Sequence, residues 1–149
     1  MQNLLNKIKL LWLKTVVSAG SSIDDDSAIV DTQGYDGVIF MTTITDSVDT
    51  GVATMTVEQN TANSGTGMAA LAGAVATATS AANDDLNNKI LVVDVYRPRE
   101  RYLRVNRTSA TANIAYGEVT AILYQGNKMP ITQGSDVADS AVVTSPAES

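Results

Sequence analysis

The groups in this sequence that could do chemistry are carboxylates, lysines, arginines and tyrosines, because the chain contains neither histidine nor cysteine. That absence removes imidazole acid–base catalysis, thiol nucleophiles, disulfide staples and the common zinc and copper sites together. Carboxylates could still serve as acid and base, with Asp36, Asp94 and Glu118 as the candidates. Asp94 interrupts the apolar run Ile90–Tyr96, and on strand alternation it shares a face with Ile90, Val92 and Tyr96. A carboxylate placed there needs a partner, and Arg101 or Arg104 on the adjacent strand supplies one as a structural ion pair. The run Asp24-Asp25-Asp26 invites a calcium reading, but a loop site alternates its ligands around a glycine turn, and here the carboxylates are simply adjacent. A solvated turn, or an edge that repels wrong partners, is the plainer reading. Gly65-Thr-Gly-Met-Ala-Ala70 spells the loose dinucleotide pattern G-x-G-x-x-A, yet a real fingerprint follows directly on a buried parallel strand, and polar Asn60–Ser64 intervenes. Nothing assembles a nucleophile with its base, so the expectation is a non-enzymatic protein without cofactor or metal.

What remains is binding chemistry. All five arginines of the chain, Arg97, Arg99, Arg101, Arg104 and Arg107, half of its ten basic residues, fall within Lys89–Tyr124. Tyr96 and Tyr102 flank the run Arg97-Pro-Arg-Glu-Arg101, and Pro98 prevents a continuous ladder there, so Arg97, Arg99 and Arg101 should project from a corner. Arginine forks suit bidentate contacts to carboxylates. They either pair with the chain's own acidic excess or reach a second chain. The formal net charge of −6 argues against nucleic acid, which requires cationic compensation of phosphates. The candidate partner residues are therefore Tyr96, Arg97, Arg99, Arg101, Tyr102 and Arg104, meeting acidic protein. Leu5, Ile8 and Trp12 join them as candidates from the N-terminal segment.

The elements that position these groups read as strands. Hydrophobic residues make up 44% of the 149 residues but aromatics only 5%, with Ala, Val and Thr dominant, so the core is built from small side chains. Lys89–Tyr96, Tyr102–Val105 and Ile114–Tyr124 predict three consecutive antiparallel strands, a meander at the centre of the fold. Upstream, Ala28–Thr32 is a short strand. Val38–Thr45 and Val52–Gln59 alternate apolar and polar residues, with Ala53, Met55 and Val57 inward, and the Asp46–Gly51 loop predicts a hairpin between them. Met68–Ala82 is Ala-rich and broken by Gly73, which predicts a short helix or a mobile excursion. Leu4, Leu5, Ile8, Leu11 and Trp12 fall on one helical stripe, so the N-terminus predicts an amphipathic arm that packs on its own domain or docks on a neighbour. Lys7, Lys9 and Lys14 interrupt any secretory core there, and no run approaches the roughly 20 apolar residues of a membrane span. The fold class is all-β: an antiparallel sandwich or small barrel of about eight strands. Its organisation is an arm and polar connector at 1–27, a β domain at 28–126 and a polar C-terminal extension at 127–149. That extension is loose unless something holds it.

Several strings in this order resemble one family. They are Ile29-Val-Asp-Thr-Gln-Gly-Tyr-Asp-Gly-Val-Ile-Phe40, Tyr96-Arg-Pro-Arg-Glu-Arg-Tyr102 with Leu103-Arg-Val105, Thr111-Ala-Asn113, Ile122-Leu-Tyr124, Lys128-Met-Pro-Ile-Thr132 and Val143-Thr-Ser-Pro-Ala-Glu148. Together they resemble the head decoration, or capsid cement, proteins of tailed bacteriophages. The resemblance implies a virion structural protein made in the host bacterial cytoplasm and carried on the outer capsid surface. Its partners would be the major capsid protein and further copies of itself, as a homotrimer, with no nucleic acid or membrane contact. Asn106-Arg-Thr108 spells a glycosylation acceptor, which such a protein would not use. A head–tail connector or tail component, and a displayed receptor- or glycan-binding module, are the other functions weighed.

Overall fold

A computed structural model describes residues 3–146 as two five-stranded antiparallel sheets packed face to face. The strands are β1 (Ile8–Lys14), β2 (Val17–Gly20), β3 (Asp24–Asp26), β4 (Val30–Asp31), β5 (Tyr35–Ser47), β6 (Val52–Asn60), β7 (Ala69–Thr79), β8 (Lys89–Tyr96), β9 (Tyr102–Ala110) and β10 (Ile114–Gly126). One sheet runs β1-β10-β5-β8, with β2 also on β10; the other runs β3-β9-β6-β7, with β4 also on β9. We call them sheet A and sheet B. The all-β sandwich is as expected, with ten strands rather than eight.

Alternation places the core. Val38, Phe40, Thr42 and Ile44 of β5 and Val119, Ala121 and Leu123 of β10 face Ala53, Met55 and Val57 of β6 and Leu103 and Val105 of β9, all buried. Truncating a side chain such as Phe40 to Ala would cost about 3–5 kcal/mol, since the neighbours cannot fully collapse on the gap. Tyr116 is the other large aromatic inside, and its hydroxyl donates to the Thr108 carbonyl at 2.6 Å and accepts from the Thr54 amide at 3.0 Å. Burial pushes that phenol up to about 12.

The pairing differs from the sequence expectation in two places. β5 and β6 do not form a hairpin: β5 pairs with β10 and β8, and β6 with β7 and β9. The loop between them arches from one sheet to the other, with Thr50 at φ 71° and backbone bonds Thr50 N to Ser80 O and Ser80 N to Gly51 O. Nor are β8, β9 and β10 a meander, because β8 and β10 lie in sheet A with β5 between them and β9 lies in sheet B. A period of two says which face of a strand is apolar, and consecutive strands satisfy it equally by pairing or by packing across the core.

Three segments change type. The N-terminal stripe is not a helix; only Leu5–Lys7 forms a single 3-10 turn, and Ile8–Lys14 pairs with β10 as an edge strand. Leu11 and Leu13 then face the core while Leu10 and Trp12 face outward, so an apolar run that fits a helical stripe by spacing is an edge strand with one face in the core and Trp12 exposed on the other. The polar connector contributes β2 and β3. Met68–Ala82 is β7 rather than a helix or excursion, paired with β6 and carrying a bulge at Leu71–Ala74, where Gly73 takes φ 81°. Alanine's helix propensity loses there to backbone pairing with a ready sheet.

The C-terminal extension is held in part. Its Ile131 amide donates to the Asn6 carbonyl at 2.8 Å. The Gln133 side chain donates to the Leu5 and Ile8 carbonyls and accepts from the Leu10 amide at 2.9 Å, and Asp136 accepts from the Trp12 amide at 3.0 Å. Side chains here satisfy the free edge of β1 in place of another strand. Residues 138–146 have no regular structure. The last residues of the tail, 147–149, and the first two of the arm lie outside the described residues.

Candidate functional site

The segment Arg97–Arg101 joins the end of β8 in sheet A to the start of β9 in sheet B, so it crosses one end of the sandwich. Arg97 takes φ 53°, a left-handed conformation rare outside glycine, and its amide donates to the Asp36 carbonyl at 2.7 Å. The turn demanded by Pro98 is thus anchored on the start of β5. The Arg97 guanidinium lies over the Tyr96 ring, 5.1 Å from its centroid. Arg101 is fixed from the other side: its Nε and Nη2 each donate to a different Asp31 oxygen at 2.8 Å, and it stacks on Tyr102 at 5.0 Å. Its carbonyl accepts from both the amide and the hydroxyl of Thr32. The Arg101 hydrogen bond holds the Asp31 carboxyl below the usual carboxylate range.

Between these anchors lies an open concavity of about 500 Å³ lined by Thr32–Asp36, Arg97–Arg99 and Arg101. Arg97 and Arg99 are exposed and form no salt bridge among the described residues, whereas Arg101, Arg104 and Arg107 all do. Arg104 lies on the outer face of sheet B between Glu58 at 2.8 Å and Asp26 at 3.3 Å. Arg107 is wholly buried. The five arginines of the sequence therefore separate into two without an ionic partner among the described residues and three paired with the chain's own carboxylates.

The remaining candidates lie elsewhere. Leu5 is half-buried in the N-terminal 3-10 turn, Ile8 is buried, and Trp12 is exposed on the outer face of sheet A. Asp94 is paired neither with Arg101, which bonds Asp31, nor with Arg104, which belongs to the other sheet; it accepts a hydrogen bond from the Tyr124 hydroxyl at 2.6 Å on the outer face of sheet A. Tyr124 reaches it across Gly37, where a β-carbon would collide with its ring, and burial together with the Asp94 contact drives the phenol above the usual tyrosine range. Asp36 and Glu118 are separated from Asp94 in role as well: Asp36 lines the corner and Glu118 is exposed near the far end of β10.

Sequence reasoning missed the other half of the corner. Thr32, Gln33, Gly34 and Tyr35 line it, but only the pairing of β4 with β9 brings them near Arg101, across 70 residues of chain. The Asp24–Asp26 run is also not a loop: its side chains alternate across β3, Asp25 inward on Arg107 and Asp24 and Asp26 outward on Asn106, so the three carboxylates cannot converge on one ion. Chemically, the corner offers paired cation forks beside aromatic rings, suited to carboxylates presented by another chain. No family model, no curated protein and no solved structure matches this chain.

Proposed function

We propose that this is a phage virion structural protein that decorates the capsid and stabilises it by bridging neighbouring major capsid protein subunits. The observation that carries the reading is the pair Arg97 and Arg99, exposed and without an ionic partner among the described residues, on a corner anchored from both sheets in a chain of net charge −6. A folded acidic protein that keeps two arginines free on a fixed turn can grip carboxylates of a shell protein without reorganising. Copies joined as an oligomer, a trimer by the family resemblance, would attach at several points at once, so that weak single contacts sum to firm attachment. Ligand binding to the assembled shell then stabilises it by mass action.

The test adds the purified protein to shells that lack it and measures binding and the temperature of DNA release. Saturable binding at copy numbers comparable to the shell protein, with release shifted to higher temperature, is expected. Equal heat stability with and without it overturns the proposal. The same concavity, with Tyr35 beside the arginines, is also the place a displayed glycan-binding module would use. Binding to host-surface glycans with indifference to bare shells would select that reading instead.

A further inference from the structure

Each sheet of the sandwich ends in strands with one side unpaired, and the chain treats these edges differently. The edge of β1 is closed by Gln133 and Asp136. β3 and β4, at three and two residues, are too short to template another strand. β8 ends sheet A on the opposite flank and carries Lys89 and Asp94, charges of the kind that discourage a wrong strand from adding there. Beside it, β7 ends sheet B with no such guard. Its 11 residues contain no charged side chain and no proline, and among the described residues its backbone bonds only to β6. The bulge at Leu71–Ala74 interrupts its first half, which leaves Val75–Thr79 as a straight, open ladder of small side chains with Val75 47% exposed.

The complementary feature is in the C-terminal extension. Ala141-Val-Val-Thr-Ser145 is uncharged and rich in β-branched residues, the composition of a strand, and Pro146, which has no amide to give a ladder, closes it. Yet these residues make no backbone hydrogen bond among the described residues, and Val142 is 50% and Val143 80% exposed. A strand-forming segment without a ladder thus accompanies a ladder without a strand, and 141–145 matches 75–79 in length.

We infer that Ala141–Ser145 of one copy adds as a strand to the Val75–Thr79 edge of another. Reach selects a second copy over the chain's own edge. Asp136 is fixed on β1 by the Trp12 amide, and Val142 still lies beside Leu5 and Ile131 on the β1 flank. β7 is on the far flank of the other sheet, about 14 Å away across three strand spacings and about 10 Å more to the second layer. The stretch from Asp136 to Ala141 spans at most about 18 Å when fully extended. A route around the sandwich is longer than that, so the tail can reach only the β7 of another copy. The contact is head-to-tail, each copy giving one segment and receiving one, so it closes a ring where the rotation allows. Main-chain pairing supplies the attraction, as in strand addition to an exposed sheet edge generally, and neither strand brings a charge to it. It uses neither Arg97 nor Arg99 and stands independently of the shell-binding reading.

Sedimentation velocity on the full chain, from low to high micromolar, tests it, and a mass above that of one chain is expected. Val142→Asp with Val143→Asp changes only exposed tail positions and should weaken association by about 30-fold, because each gives up most of valine's strand preference. Val75→Lys with Thr77→Lys puts the missing guard on β7 and should weaken it similarly. Thr77→Lys alone serves should that pair fail to fold. Mixing the tail variant with the β7 variant should restore association, since each keeps the half that the other lacks. A wild-type chain that remains single at every concentration overturns the inference, as does a folded variant of either kind that associates as tightly as the wild type. A mixture that stays dissociated also overturns it, because the contact would then join like surfaces rather than a tail to an edge.

Discussion

Asp25 and Arg107, 82 residues apart, meet between the sheets: Asp25 Oδ2 lies 2.7 Å from Nη2 and 3.2 Å from Nε of the guanidinium. Arg107 projects from β9 of sheet B, and its other donors go to the Thr42 hydroxyl and the Gly117 carbonyl in sheet A and to the Thr15 carbonyl. Its plane also lies 5.2 Å from the Tyr116 ring. One side chain thus ties the two layers together, and no buried side-chain polar atom among the described residues is left without a partner. A buried charge is tolerated only on such terms.

Removing the carboxylate should expose that dependence. Asp25→Ala leaves the guanidinium buried without its counter-ion, with a loss of about 3–5 kcal/mol. Replacing both residues, Asp25→Leu with Arg107→Met, should cost much less than the sum of the single changes. Urea unfolding of the four proteins in a double-mutant cycle measures the coupling.

Tyr116 sets a limit at alkaline pH. Its folded phenol is raised to about 12 by burial, against an ordinary value of 10. The folded chain therefore keeps a proton that the unfolded chain releases, so the contribution is whole below pH 10 and is lost as pH rises toward 12. The loss amounts to about 3 kcal/mol by linkage. Unfolding free energies at stepped pH should fall through that window for the wild type and fall less for Tyr116→Phe, which starts from a lower plateau.

The corner should divide by residue. Arg97→Glu and Arg99→Glu remove no internal ion pair and should move stability by no more than about 0.5 kcal/mol while abolishing attachment to bare shells. Arg101→Ala breaks the two-pronged contact to Asp31, both side chains 45% exposed, and should lower stability only slightly, because water screens the pair. Because Asp31 titrates low in the folded chain, that difference should persist above pH 4 and vanish as pH falls through its folded value. Thermal melts beside a shell co-sedimentation assay separate the two effects.

The edge of β1 depends on the chain's own C-terminal segment. Gln133→Ala removes an acceptor from the Leu10 amide and a donor to the Ile8 carbonyl, which should cost about 1–2 kcal/mol and speed hydrogen exchange at Leu10. Unchanged exchange there would show that the segment does not hold the edge.

Local pattern fixed the strand character of Val38–Thr45, Val52–Gln59, Lys89–Tyr96 and Ile114–Tyr124, because a side chain alternates faces wherever backbone is extended. It likewise made Ala53, Met55 and Val57 inward before any partner was known. Absence of histidine and cysteine bounded the chemistry in the same local way. Which strands are neighbours was decided only in three dimensions, since β5 and β6 satisfy the same alternation whether they pair or stack, and the arch at Asp46–Gly51 chooses stacking. The Ala-rich β7 and the apolar N-terminal run needed it too: each fits a helix by itself and becomes a strand because a sheet offers it a ladder. The arginines show the limit most plainly. Five similar side chains in one stretch share the same spelling, but burial, Asp31, Glu58 and Asp25 commit three of them to the fold and leave Arg97 and Arg99 facing out. A charge is free or spent according to what the folded chain brings within about 4 Å of it, and that distance is set by contacts far apart in sequence.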